Sequence, residues 1–165
     1  MSYQEKRTIV TMVTSALLLA AYGIYVFGRV QAGLAMATDI KFWAGTMLVF
    51  VGINIAANIV IQIVFHILLA VSYGVRQHKE TGGCDEAAID KQLQSETTED
   101  EMDKMISLKS SRVAFIVAGI GFVAGLAAVM FGAGASALIN AVYIGFSLGT
   151  IVESIAQMHF YRKGV

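Results

Sequence analysis

Residues 42–75 read FWAGTMLVFVGINIAANIVIQIVFHILLAVSYGV, 34 positions between Lys41 and Arg76 without an aspartate, glutamate, lysine or arginine. A helix that crosses a hydrocarbon core about 30 Å thick needs roughly 20 such residues, because charged groups lose their hydration there and backbone amides must bond within the segment. Two further runs reach that length: 21 uncharged residues separate Arg7 from Arg29, and 40 separate Arg112 from Glu153. The last run is long enough for two crossings. Near its middle lie Gly132, Ala133, Gly134, Ala135 and Ser136, where two glycines permit the tight reversal of a helical hairpin. The expected fold is all-α: one domain over 1–165, an integral membrane bundle of four transmembrane helices near residues 8–27, 42–69, 113–131 and 137–158, with a loop over about 76–112.

Composition agrees with a lipid solvent. The chain is 56% hydrophobic and 15% charged, where soluble domains carry about a quarter charged residues, and its mean hydropathy is +0.67. Formal net charge is zero, so no global field draws it to nucleic acid, and direct nucleic-acid binding is not expected. The first run opens on Lys6 and Arg7 as a targeting signal does. It is longer than the about 7–15 apolar residues of such signals and continues through Tyr22, Tyr25 and Phe27, which reads as a retained helix. Cys84 is the sole cysteine, so no intrachain disulfide forms, and it reads as an incidental free thiol of the loop. With no proline in the chain, any helix irregularity falls to glycine.

Orientation follows from the basic residues, because Lys- and Arg-rich segments stay cytoplasmic. Lys6, Arg7, Arg76, Lys79, Lys91, Lys104, Lys109, Arg112, Arg162 and Lys163 fall on one side of a four-span arrangement, and Arg29 and Lys41 on the other. Ten against two predicts both termini and the loop in the cytoplasm, and places the chain as a multi-pass protein of a cell membrane. The second and third helices are expected to outrun the bilayer. Residues 42–75 alone would reach about 50 Å as a helix. Thr98 to Glu101 reads as a capping box, with an Asp100–Lys104 pair one turn on, so the two helices are expected to project as an antiparallel pair. Between them, 77–97 reads as a flexible segment.

Polar residues within the spans are the candidates for function. Asn54, Asn58, Gln62 and His66 recur every four residues and form one slowly winding stripe on the second helix. Such a stripe faces other helices, as interhelical hydrogen bonds, or lines a polar path or ligand cavity. The fourth span adds Asn140, Glu153 and Gln157. Glu153, the only carboxylate in a span, either meets His66 at a shared depth or pairs with Arg162 and Lys163 at the interface. Gly121 and Gly125 on the third span, and Ala141, Gly145 and Gly149 on the fourth, are small residues at intervals of four that let backbones approach closely. They serve either third-to-fourth helix packing or a homodimer seam. The longer ladder on the fourth helix is expected to be left for a second copy.

No catalytic constellation is visible. The chain has no Gly-x-Ser-x-Gly, phosphate-cradling glycine loop or zinc-protease motif, and His66, His78 and His159 include no His-x-x-x-His pair. No catalytic residue, metal or cofactor is expected.

The segment Asp100, Glu101, Met102, Asp103, Lys104, Met105 and Ile106, followed by Leu108, Lys109 and Arg112, resembles small four-helix membrane proteins of prokaryotes that carry an Asp-Glu-Arg-Asp-type motif before the third span. The resemblance extends to the start, Met1 to Arg7, and to the end, Phe160 to Val165; Met102 stands where the family has arginine. It implies a prokaryotic membrane location and an association with transcriptional regulators encoded nearby, and brings no established activity. Taken together, the sequence predicts a non-enzymatic, homodimeric bundle in contact with the lipid bilayer. Its cytoplasmic motif, Asp100, Glu101, Asp103 and Lys104, would engage a protein partner and its polar stripe a small ligand or lipid. A small oligomeric transporter or channel with a polar path along the second helix is the alternative.

Overall fold

The computed structural model describes residues 3–33, 39–81, 98 and 100–163. They form four helices: α1 (Tyr3–Gln31), α2 (Ile40–Thr81), α3 (Glu101–Met130) and α4 (Ala135–Lys163). All four are long and apolar enough to cross a membrane, as the uncharged runs require. The protein is a four-helix membrane bundle. The lower end is where α1 and α3 begin and α2 and α4 finish; the upper end carries the α3–α4 turn.

Local chemistry sets the helix ends. Asp39 accepts the Phe42 amide on its side chain, at 3.1 Å, and opens α2. At the start of α3 the capping box is formed by Asp100 and Asp103, each carboxylate accepting the other's backbone N–H, at 2.6 and 3.3 Å. The sequence placed that box two residues earlier, on Thr98 and Glu101. Asp100 wins because an ionised carboxylate at the positive end of a helix dipole is the stronger cap. For the same reason Lys104 is not paired with Asp100, which is committed to the cap, and bonds Glu101 at 3.1 Å. The α3–α4 reversal turns on Gly132, whose φ of 96° only glycine adopts at low cost, while the Ala133 amide closes back on the Ala128 carbonyl.

Helix packing is uneven. α3 and α4 form the closest pair, α1 lies along α4, and α2 touches α1 and α4 at the periphery. At the α3–α4 seam a Cβ on Gly121 would stand 2.7 Å from the Gly145 Cα, one on Gly125 2.9 Å from the Ala141 Cβ, and one on Gly149 2.9 Å from the Ala114 carbonyl. Both small-residue ladders are therefore spent on each other. The expectation that the α4 ladder is left for a second copy is not met, because a hairpin with so short a turn must place these two helices side by side.

The interior is small and hydroxylated. Buried polar residues are Thr8, Ser15, Thr46, Ser110, Ser136, Ser147 and Ser154, and the buried apolar ones are Tyr22, Trp43, Ile106, Ala118 and Tyr143; large aliphatics such as Leu48, Ile59 and Ile120 point outward. That is the distribution expected where lipid tails are as apolar as leucine, so that close approach and hydrogen bonding drive association. The upper half closes on an aromatic cluster: Tyr22 stacks on Tyr143 at 4.0 Å and meets Phe50 edge-on at 5.1 Å. Arg29 lies over the Tyr25 and Phe42 rings at 5.4 and 5.9 Å, which gives an upper-side cation an aromatic seat.

The Tyr22–Phe50 contact sets the depth of α2. From it α2 runs on to Thr81 and overhangs the start of α1 by about a dozen residues, roughly 18 Å. The predicted extension of α2 is present, and the helix continues to Thr81, into the segment the sequence reads as flexible. The rest of that segment, with Cys84, lies outside the described residues. α3 runs antiparallel to α2 but shares no packed seam with it. Its first three turns lie along α4 instead, held by Tyr161 to Asp103 and Ser111 to Glu153.

Candidate functional site

Where the four helices meet toward the lower end they line a half-open cavity of about 230 Å³. α1 lines it with Gln4, Arg7, Thr8 and Thr11, α2 with Asn58, α3 with Asp103 and Ser107, and α4 with Thr150, Glu153, Ser154, Gln157 and Tyr161. All twelve are polar, in a chain that is 56% hydrophobic. Helical spacing explains the convergence. Gln4, Arg7, Thr8 and Thr11 follow the i, i+3, i+4, i+7 pattern of one face, and Asp103 and Ser107 are one turn apart.

The walls are cross-linked by hydrogen bonds. The Thr8 hydroxyl lies 3.1 Å from Gln157 Oε1 and 2.9 Å from the Gln4 carbonyl. Tyr161 donates to Asp103 Oδ1 at 2.8 Å, and Ser111 donates to Glu153 Oε1 at 2.6 Å. Both oxygens of Asp103 thereby carry a hydrogen bond, one from Tyr161 and the other from the Asp100 amide. Glu153 keeps Oε2 without a partner among the described residues, and the Arg7 guanidinium likewise has neither an ion pair nor a hydrogen bond there. One cavity thus holds a carboxylate and a guanidinium that do not pair with each other.

Above it, between α2 and α4, lies a groove of about 470 Å³. Met47, Val51, Ile55, Ile59 and Phe146 make it apolar, while Asn54, Asn58, Gln62, Tyr143, Ser147 and Thr150 supply a polar edge. Asn58 and Thr150 belong to both spaces, so cavity and groove are neighbours that share a wall. Among the described residues the buried Tyr143 hydroxyl completes no well-formed hydrogen bond, although Ser147, one turn on, lies nearby. A third space of about 240 Å³ opens on the α3 side between Ser111, Phe115, Phe146 and Glu153.

The predicted site residues separate. Asn58, Glu153 and Gln157 come together in the polar cavity, and Asn54 and Gln62 line the groove. Among the described residues Asn58 bonds only to Asn54, one turn earlier, at 2.9 Å to its carbonyl and 2.9 Å to its side-chain oxygen. His66 is exposed and lines none of these spaces, so the His66–Glu153 pair does not form: the stripe winds away from α4 over its last turn. Nor does Glu153 pair with Arg162 or Lys163, both exposed; Ser111 supplies its hydrogen bond. Asn140 serves the fold, accepting from the Tyr22 hydroxyl at 2.6 Å and donating to the Ser136 carbonyl at 2.8 Å. Of the motif residues, Asp103 reaches the cavity, Asp100 caps α3, and Glu101 and Lys104 pair in solvent. Sequence reasoning missed Arg7 and its α1 neighbours. Their spacing was the available signal, hidden because the first two turns of α1 read as a flank of the span.

Among the described residues no group of three His, Cys, Asp or Glu side chains is placed to hold a metal ion. No protein-family model, curated protein or solved structure matches the chain.

Proposed function

We propose that this chain is a non-enzymatic binding protein of the prokaryotic cytoplasmic membrane, with the lower end of the bundle in the cytoplasm and a ligand held in the polar cavity there. The carrying observation is that cavity: twelve polar residues gathered at one end of an apolar bundle, with Arg7 and the second oxygen of Glu153 uncommitted among the described residues. Asn58, Thr150 and Glu153 stand inside the apolar runs, where polar groups cost several kcal/mol unless something satisfies them, which supports a ligand or ion site beside them. The ten-to-two distribution of Lys and Arg supports the orientation. The resemblance to prokaryotic four-helix proteins supports the setting, and the α2 overhang and the charged start of α3 are the surfaces for a cytoplasmic partner. Self-association belongs to the reading too, but on outward faces of α2 or α3, since the α4 ladder is occupied.

The test is mass spectrometry of the protein extracted in mild detergent. Wild type is expected to carry a bound small molecule or lipid, and Thr11→Phe, which fills the cavity from α1, or Arg7→Gln, to lose it. The same bound species at the same occupancy in all three proteins would overturn the reading.

The second reading, a small oligomeric transporter, is favoured by one observation: space does surround Asn58, with the groove leading from the lower cavity toward mid-bundle. It would require passage past the Tyr22, Phe50 and Tyr143 cluster. Substrate counterflow in proteoliposomes, abolished by Asn58→Leu, would establish it over simple binding.

A further inference from the structure

We infer that cavity and groove form one amphiphile site, occupied by a phospholipid whose zwitterionic headgroup carries a primary ammonium. This rests on the binding reading above and names its ligand class. Charge is the first argument. Arg7 and Glu153 share the cavity without pairing, so a ligand that is only anionic meets the carboxylate and one that is only cationic meets the guanidinium. A dipolar ion satisfies both. Its phosphate takes the fork of N–H donors on Arg7, and its ammonium takes Glu153 Oε2, Oε1 being held by Ser111.

The second argument is the gradient of polarity along the bundle. Arg7 and Tyr161 lie near the start of α1 and the end of α4, where a helix longer than the hydrocarbon core meets the headgroup layer. From Asn58 and Thr150 the groove continues upward between apolar residues of α2 and α4. Met47 to Gln62 spans about 22 Å of helix, more than one leaflet's half of a core about 30 Å thick. A lipid of the lower leaflet has that polarity and that length, with its head at Arg7 and Glu153 and an acyl chain against Met47, Val51 and Ile55. The space together falls in the range of about 300–1,000 Å³ usual for small-molecule sites.

The experiment is native mass spectrometry of the full chain released from nanodiscs made with equal parts phosphatidylethanolamine, phosphatidylglycerol and phosphatidylcholine. Retention of phosphatidylethanolamine is expected to exceed that of the anionic lipid, which lacks the ammonium, and that of phosphatidylcholine, whose quaternary ammonium has no N–H to donate. Glu153→Gln should cut the preference about tenfold, the scale of one charged hydrogen bond. Equal retention of the three lipids by wild type overturns the inference without need of any variant. If that equal retention is still abolished by Thr11→Phe, the binding reading stands and only the ligand class falls; if Thr11→Phe changes nothing, both fall. A phosphatidylethanolamine preference undiminished in Glu153→Gln overturns the role given to that carboxylate, and with it the inference.

Discussion

Replacing Gly121 with alanine puts a methyl carbon 2.7 Å from the Gly145 Cα and 3.2 Å from the Ala141 carbonyl oxygen. Non-bonded carbons rest at about 3.5–4.0 Å, so the α3–α4 seam must open by about 1 Å. Both contacts are backbone atoms, and no flexible side chain can move aside. Overpacking of this kind costs about 1–3 kcal/mol. Gly119, two residues earlier on α3, has nothing within 4 Å of its added Cβ, and alanine there gains up to about 1 kcal/mol of helix propensity. The propensity gain applies at both positions and cancels, so the two substitutions add the same methyl group to the same helix yet should differ by about 1–3 kcal/mol, with Gly121→Ala the less stable. Reversible unfolding in mixed detergent and dodecyl sulfate micelles measures the difference. Equal stability of Gly119→Ala and Gly121→Ala would refute the seam and return the small-residue ladders to some other surface.

Tyr22→Phe removes the 2.6 Å hydrogen bond to Asn140 and should cost about 0.6–1.7 kcal/mol in the same assay, with the aromatic stack retained. Asn58→Leu breaks only bonds within α2, so folding free energy should change by less than about 1 kcal/mol while bound lipid or ligand falls; a large loss of stability would mean that Asn58 ties helices together. Cys84 should resist an impermeant thiol reagent on intact cells and react once the membrane is opened, whereas labelling from outside would invert the orientation inferred from Lys and Arg.

Four helices and their rough limits could be read from the spacing of charges, because hydrocarbon tolerates so few alternatives, and the hairpin from Gly132 and Gly134 within the longest uncharged run. The pairing of helices was harder to read. Two ladders of small residues announce two close surfaces without saying that each is the other's partner, and only the short turn at Gly132 decides it. The site was half legible: Asn58, Glu153 and Gln157 stand out as polar groups inside apolar runs, whereas Arg7 and Thr8 sit where polar residues are ordinary. His66 shows the limit of a stripe argument. Steps of four drift around the helix, so the last member of the series leaves the face that the first one shares with α4.

α2 is a long rod fastened near its upper third and gripped only lightly elsewhere. Phe50 against Tyr22 acts as a fulcrum, and Thr81 lies 31 residues further on, roughly 46 Å along the axis. A tilt of about 5° at that fulcrum, small enough for side chains to follow, would sweep the end of α2 through about 4 Å. Filling or emptying the space beside Asn58 would therefore be geared: an adjustment of about 1 Å there, about 12 Å from the fulcrum, would become about four times larger at the end of α2.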